Sequence, residues 1–171
     1  MRDTRELDRP VVVLIERRVS DEDVMREACA RTVAEAAPFV LVHVAPLPGD
    51  VPRWVSRGQQ HPEPWQRMLG LEATVRYDLE RLAAEWVGLA TPVDVVVRFG
   101  DPVTEIAAVA EDRGARLVVA RSQPACWPLG QGRDGRLRWA VNGPLALVRA
   151  AGETRWVERL HPIPAEARWR L

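Results

Sequence analysis

Val93-Asp94-Val95-Val96-Val97-Arg98-Phe99-Gly100-Asp101-Pro102 runs on through an alternating segment to Leu117-Val118-Val119-Ala120. Val93 to Phe99, apolar apart from Asp94 and Arg98, reads as a strand candidate, and Leu117 to Ala120 as a second buried strand. Gly100-Asp101-Pro102 opens a helix between them. Proline in the first helical turn has no amide hydrogen to leave unpaired, and the Asp101 carboxylate ahead of it can accept from the amides that follow. Val103, Ile106, Ala107 and Ala110 recur at helical spacing and form one apolar stripe, and Gly114 is a left-handed stop. The reading is a strand-helix-strand unit with a right-handed crossover, its loops placed where open parallel sheets bind ligands.

The same pattern extends upstream. Val11 to Ile15, preceded by Pro10, reads as the first and central strand. Ser20 and Asp23 have capping-box spacing, and Val24, Met25, Ala28, Cys29, Val33 and Ala36 continue a helical stripe that Pro38 closes. Phe39 to Val44 reads as a second buried strand. Ala45 to Pro64 is rich in proline and lacks periodicity, so it reads as a long surface excursion. Trp65, Met68, Leu69, Val75, Leu79, Leu82 and Trp86 then step along the longest helix, with Arg76/Glu80 and Arg81/Glu85 spaced for surface pairs.

Downstream, Arg121 to Asp134 is a loop holding Pro124, Pro128, Gly130 and Gly132. A short helix from about Gly135 to Val141 follows and stops at Asn142-Gly143-Pro144. Leu145 to Arg149 supplies a fifth strand. Residues 1–10 read as an N-terminal extension, 11–150 as one α/β domain and 151–171 as a tail, in which Pro162 and Pro164 argue against a long regular element.

With 171 residues and 47% hydrophobic content, the chain suits a single domain. Acidic and basic residues balance at 24 each, which leaves no global field to draw it to nucleic acid or to an anionic membrane. Every basic residue is arginine. That excludes a Walker-type phosphate loop and a Schiff-base enzyme, both of which need a lysine. Cys29 and Cys126 make neither a disulfide framework nor a metal motif. No signal peptide or apolar run of bilayer length is found, and a soluble cytoplasmic protein is expected.

Five strands alternating with four helices predict an α/β fold: a single doubly wound five-stranded parallel sheet sandwich. The details resemble the universal stress protein family over Val11 to Arg149. The resemblance rests on Glu16 ending the first strand, His43-Val44 ending the second, Gly100-Asp101-Pro102 with Ile106, Leu117 to Ala120, and Pro144 opening the last strand. It implies an adenine nucleotide alpha hydrolase-like sheet in the order 3-2-1-4-5, with a ligand crevice between strands one and four.

Members that bind ATP carry a glycine, two residues, a glycine, nine residues, a glycine, then serine or threonine. The glycines allow close approach of backbone amides to phosphate. Here the first glycine position falls on Ala120 or Arg121 and the second near Gln123 or Pro124. Gly132 matches the last and is followed by Arg133, where a hydroxyl is expected, while Glu16 stands in place of the usual aspartate. The resemblance thus implies a candidate nucleotide crevice of Glu16, Val44, Ala120, Arg121, Gly130, Gly132 and Arg133. The departures predict lost or weakened ATP binding and no other cofactor. The alternative is an ATP-binding regulatory switch with an atypical phosphate loop and at most slow hydrolysis.

Arg121, Arg133, Arg136 and Arg138 surround this loop against Asp134 alone, which reads as a solvated basic face or as an anion grip in place of glycine amides. Trp127 can fill the crevice with its indole or face solvent or a partner. His43 reads as a packed histidine, and His61 and His161 lack metal-ligand spacing, so no constellation supports an enzyme. A flavoprotein-like electron carrier of related topology has no flavin signature behind it. The expected mode of action is binding and association. Leu145 to Val148 reads as an open edge that pairs with a second copy to give a homodimer, or that Trp156, Val157, Leu160, Ile163 and Trp169 of the tail fold back to cover.

Overall fold

The computed structural model describes residues 9–16, 21–32, 37–47, 64–87, 91–123, 132–149 and 154–157. Strands and helices alternate as β1 (Val11–Leu14), α1 (Glu22–Thr32), β2 (Phe39–Ala45), α2 (Pro64–Trp86), β3 (Val93–Phe99), α3 (Pro102–Asp112), β4 (Leu117–Arg121), α4 (Arg133–Ala140) and β5 (Leu145–Val148), followed by β6 (Thr154–Val157). The sheet order is β3-β2-β1-β4-β5-β6. β1 to β5 are mutually parallel in the expected order, with Val11 beside both Phe39 and Leu117.

Strand alternation sends β1 side chains to both faces, and both are covered. Val11 and Val13 join Val24, Met25 and Ala28 of α1 and Leu79, Leu82 and Ala83 of α2 in one core layer. Val12 and Leu14 join Val103, Ile106, Val109 and Ala110 of α3 and Leu137 of α4 in the other. The helices therefore change face where the chain passes from β3 to β4, which puts the reversal between β1 and β4. Full burial of side chains such as Met25 and Ile106 contributes about 1.5–3 kcal/mol each.

The strands enter the sheet in a uniform way. Pro10, Pro38, Pro92 and Pro144 precede β1, β2, β3 and β5, and their carbonyls accept the amides of Arg116, Val11, Phe39 and Val118 at 2.9–3.0 Å. Each proline lacks a donor and leaves none unpaired at the rim, while its carbonyl extends the ladder by one bond.

The predicted α3 start and stop are present. Asp101 accepts from the Thr104 amide at 3.0 Å, and Gly114 has φ +58°. Gly100, at φ +142°, makes the turn out of β3 in backbone space that side chains rarely enter, and its amide donates to the Ala45 carbonyl.

Four details differ from the sequence reading. α1 starts from Asp21, whose carbonyl accepts the Met25 amide, while Asp23 takes Arg26 at 2.7 Å; Ser20, the other member of the expected capping box, lies outside the described residues, as do Val33 and Ala36. On α2, Leu69 is 57% exposed, and Arg76 reaches Glu72 in place of Glu80 because the backward pair leaves it free to bond the Val95 carbonyl. α4 begins at Arg133, ahead of the expected Gly135, because the Asp134 carboxylate is anchored on Ser122 and the Gln123 amide and holds the first turn.

The fourth concerns the sheet edge. β5 is not open: β6 from the tail lies antiparallel against it, with Leu145 beside Val157 and Val148 beside Thr154. The fold-back of the tail is therefore the arrangement found over residues 154–157, and the backbone groups expected to pair β5 with a second copy are occupied. Leu160, Ile163 and Trp169 lie outside the described residues.

Candidate functional site

At the C-terminal ends of β1, β2 and β4, where the strand order reverses, lies a crevice of about 510 Å3 lined by Leu14, Glu16, His43, Val44, Pro46, Pro102, Arg121 and Gln123. Its volume falls within the roughly 300–1,000 Å3 typical of small-molecule sites. The lining is assembled by fold rules alone: Glu16 follows β1, His43 and Val44 end β2, Pro102 opens α3, and Arg121 ends β4.

Asp21 organises one wall. It is 1% exposed, accepts the Glu16 amide at 2.6 Å and accepts from Arg121 Nε at 3.2 Å. One buried carboxylate thus ties the end of β1 and the start of α1 to the end of β4. A buried charge is tolerated only when paired and hydrogen-bonded, and both conditions hold here. Sequence reasoning missed Asp21; its place immediately before the first helical turn was the available signal.

Glu16 organises the other wall. Its Oε1 meets Arg133 Nη1 at 2.6 Å, with side-chain exposures of 24% and 13%, and its Oε2 accepts from Gln123 Nε2 at 3.2 Å. The added methylene relative to aspartate lets the carboxylate span from β1 to the start of α4. Arg136 pairs with Asp101 at 2.7 Å across the neighbouring helix starts. Burial alone would raise the Asp101 carboxyl, but the two hydrogen bonds from Thr104 and the Arg136 charge outweigh it and hold it below the usual carboxylate range.

The arginine cluster read from the sequence is therefore no positive excess. Three of its guanidinium groups, on Arg121, Arg133 and Arg136, stand among four carboxylates, those of Asp21, Glu16, Asp101 and Asp134. Three of those carboxylates come from distant segments, so a local count could not see them. Two Arg133 donors, Nε and Nη2, are buried without a hydrogen-bond partner among the described residues.

Of the residues expected at the site, Glu16, Val44 and Arg121 line the crevice, and Arg133 reaches it through Glu16. Gly132 precedes α4 without a side-chain cap, and Ala120 is wholly buried in the core. Gly130 and Trp127 lie outside the described residues, as do Cys126, His61 and His161. His43 is brought to the crevice with its Nδ1 2.8 Å from the Ile15 carbonyl, which makes Nδ1 the protonated nitrogen and fixes the ring across β1. Burial pushes the Cys29 thiol up, as expected of a packed cysteine. Among the described residues there is no cluster of three metal-ligating side chains, and no helix is long and apolar enough to cross a membrane.

The model of the universal stress protein family matches residues 9–130. The chain belongs to this family. Solved universal stress proteins share its fold at low identity. One from Burkholderia pseudomallei is 14% identical with a TM-score of 0.59, over 84% of this chain and 98% of its own. UspA from Lactobacillus plantarum is 17% identical with a TM-score of 0.56, over 82% and 99%. A third, from Archaeoglobus fulgidus and in complex with dAMP, is 17% identical with a TM-score of 0.52, over 81% and 96%. No curated protein matches the chain significantly.

Proposed function

We propose that this universal stress protein is a non-enzymatic, cytoplasmic regulatory protein that acts in the stress response as a homodimer, and that its crevice has lost or weakened ATP binding. The observation that carries the reading is the internal pairing at the crevice rim, Glu16 with Arg133 at 2.6 Å and Asp21 with Arg121 at 3.2 Å. A triphosphate would have to displace carboxylates from their own arginines at a rim whose positive charge is already neutralised, and charge-assisted pairs with one or both partners largely buried resist such exchange. The side chains of Arg121 and Gln123 also stand where close approach calls for bare backbone. Mass spectrometry of a heat extract of the purified protein, together with its ultraviolet and visible spectrum, tests this. The expected outcome is no stoichiometric adenine nucleotide or flavin; copurified nucleotide at one per chain overturns it.

One observation favours a second reading, an ATP-binding switch with at most slow hydrolysis. The buried Nε and Nη2 of Arg133 lack partners among the described residues, and an anion at the crevice rim would satisfy them. Phosphate release from ATP by the purified protein, abolished in Arg133→Ala, is the outcome that this reading requires.

A further inference from the structure

Among the described residues β3 ends the sheet with one side unpaired by any strand, and its sequence is self-complementary. The Pro92 carbonyl accepts the Phe39 amide and the Gly100 amide donates to the Ala45 carbonyl, so the even-numbered residues of this stretch turn their backbone groups toward β2. The odd ones, Val93, Val95, Val97 and Phe99, turn theirs outward, and Arg76 Nη1 reaches the Val95 carbonyl from that side at 3.0 Å. Asp94 and Arg98 are both exposed and stand two residues to either side of Val96.

We propose that β3 pairs antiparallel with β3 of a second copy about a twofold axis at Val96, joining the two sheets into one. This inference rests on the reading of the protein as a homodimer and moves the interface from β5 to the opposite edge. In this register Val95 of one copy faces Val97 of the other, and both have outward backbone groups, so the ladder closes with the correct parity. Asp94 faces Arg98 and Arg98 faces Asp94, at positions without ladder bonds, where side chains lie closest. Val93 faces Phe99, a β-branched side chain against an aromatic ring. A shift by one residue would set inward-facing groups opposite outward ones. A shift by two would separate the charges from their partners. Within one chain Asp94 pairs with Arg113 at 2.7 Å, but both side chains are about half exposed, so the bond is weak and exchangeable. Arg76 would have to leave Val95 and retain Glu72.

Light scattering on size-exclusion fractions of the full chain tests the pairing through charge exchange at surface positions that leave the core untouched. The wild type is expected to be a dimer. Asp94→Arg sets arginine against arginine and Arg98→Asp sets aspartate against aspartate, so each alone loses roughly tenfold or more in dimer affinity. The two variants mixed in equal amounts form a heterodimer, and the double exchange in one chain restores the homodimer. A wild-type dimer that both single variants retain overturns this interface and leaves the homodimer reading standing. A strict monomer up to millimolar concentration overturns both, and leaves Asp94, Arg98 and Arg76 as guards of a solitary edge.

Discussion

The two ends of the sheet are held together by different means. At the N-terminal end the proline carbonyls ahead of β1, β2, β3 and β5 accept amides from the neighbouring strand, so backbone closes the rim, and the side chains that bond there, Arg113 to Asp94 and Arg9 to the Gly114 carbonyl, are exposed. At the C-terminal end backbone bonds such as Gly100 to Ala45 are joined by a partly buried side-chain network: Asp21 with Arg121, Glu16 with Arg133 and Gln123, Asp134 with Ser122 and the Gln123 amide, Asp101 with Arg136. A backbone-closed rim tolerates substitution, because any residue presents a carbonyl. A side-chain-closed rim depends on specific residues and is where a fold of this kind can change its ligand without changing its architecture.

The largest effect is expected at Asp21. Asp21→Ala leaves the Glu16 amide without its acceptor and Arg121 without its counter-charge, and a loss of about 3 kcal/mol is expected in urea unfolding. A loss under half of that would show the C-terminal end to be no more dependent on side chains than its opposite. Glu16→Ala comes next, since it strands a mostly buried Arg133; about 2 kcal/mol is expected, and the chloride dependence of unfolding should rise as an anion takes the vacated place.

Asp101→Ala removes a helix cap and is expected to destabilise by about 1 kcal/mol. Its sign with pH is fixed by the lowered carboxyl. The advantage of the wild type is present in full above the ordinary carboxylate range and is lost as pH falls through the depressed value, so thermal unfolding curves of the two proteins should converge in acid and separate at neutral pH. The smallest effect belongs to the other end: Pro38→Ala keeps the carbonyl that Val11 uses, and only about 0.5–1 kcal/mol of chain entropy is at stake. An effect of Pro38→Ala as large as that of Asp21→Ala would erase the distinction.

Much of the fold is legible in the sequence because its determinants are local. The Asp101 cap, the Gly114 stop and the apolar runs of β1 to β5 each involve residues within a few positions of one another, and all are found where expected. The partners at the crevice are not local. Arg121 and Asp21 are 100 residues apart and Gln123 and Glu16 are 107 apart, so no window along the chain contains both members of a pair. Counting charges around residues 121–138 therefore gave a basic cluster where the folded chain has a neutralised one. β6 is hidden for a related reason: Thr154–Val157 is only four residues long, and its strand character comes from a partner, β5, rather than from a pattern of its own.

Isothermal titration of the purified protein with ATP addresses the central point most directly, namely that the guanidinium groups at the C-terminal end of the sheet are already engaged by the protein's own carboxylates. No saturable heat is expected at millimolar nucleotide. A saturable one-to-one isotherm at micromolar ATP would contradict it.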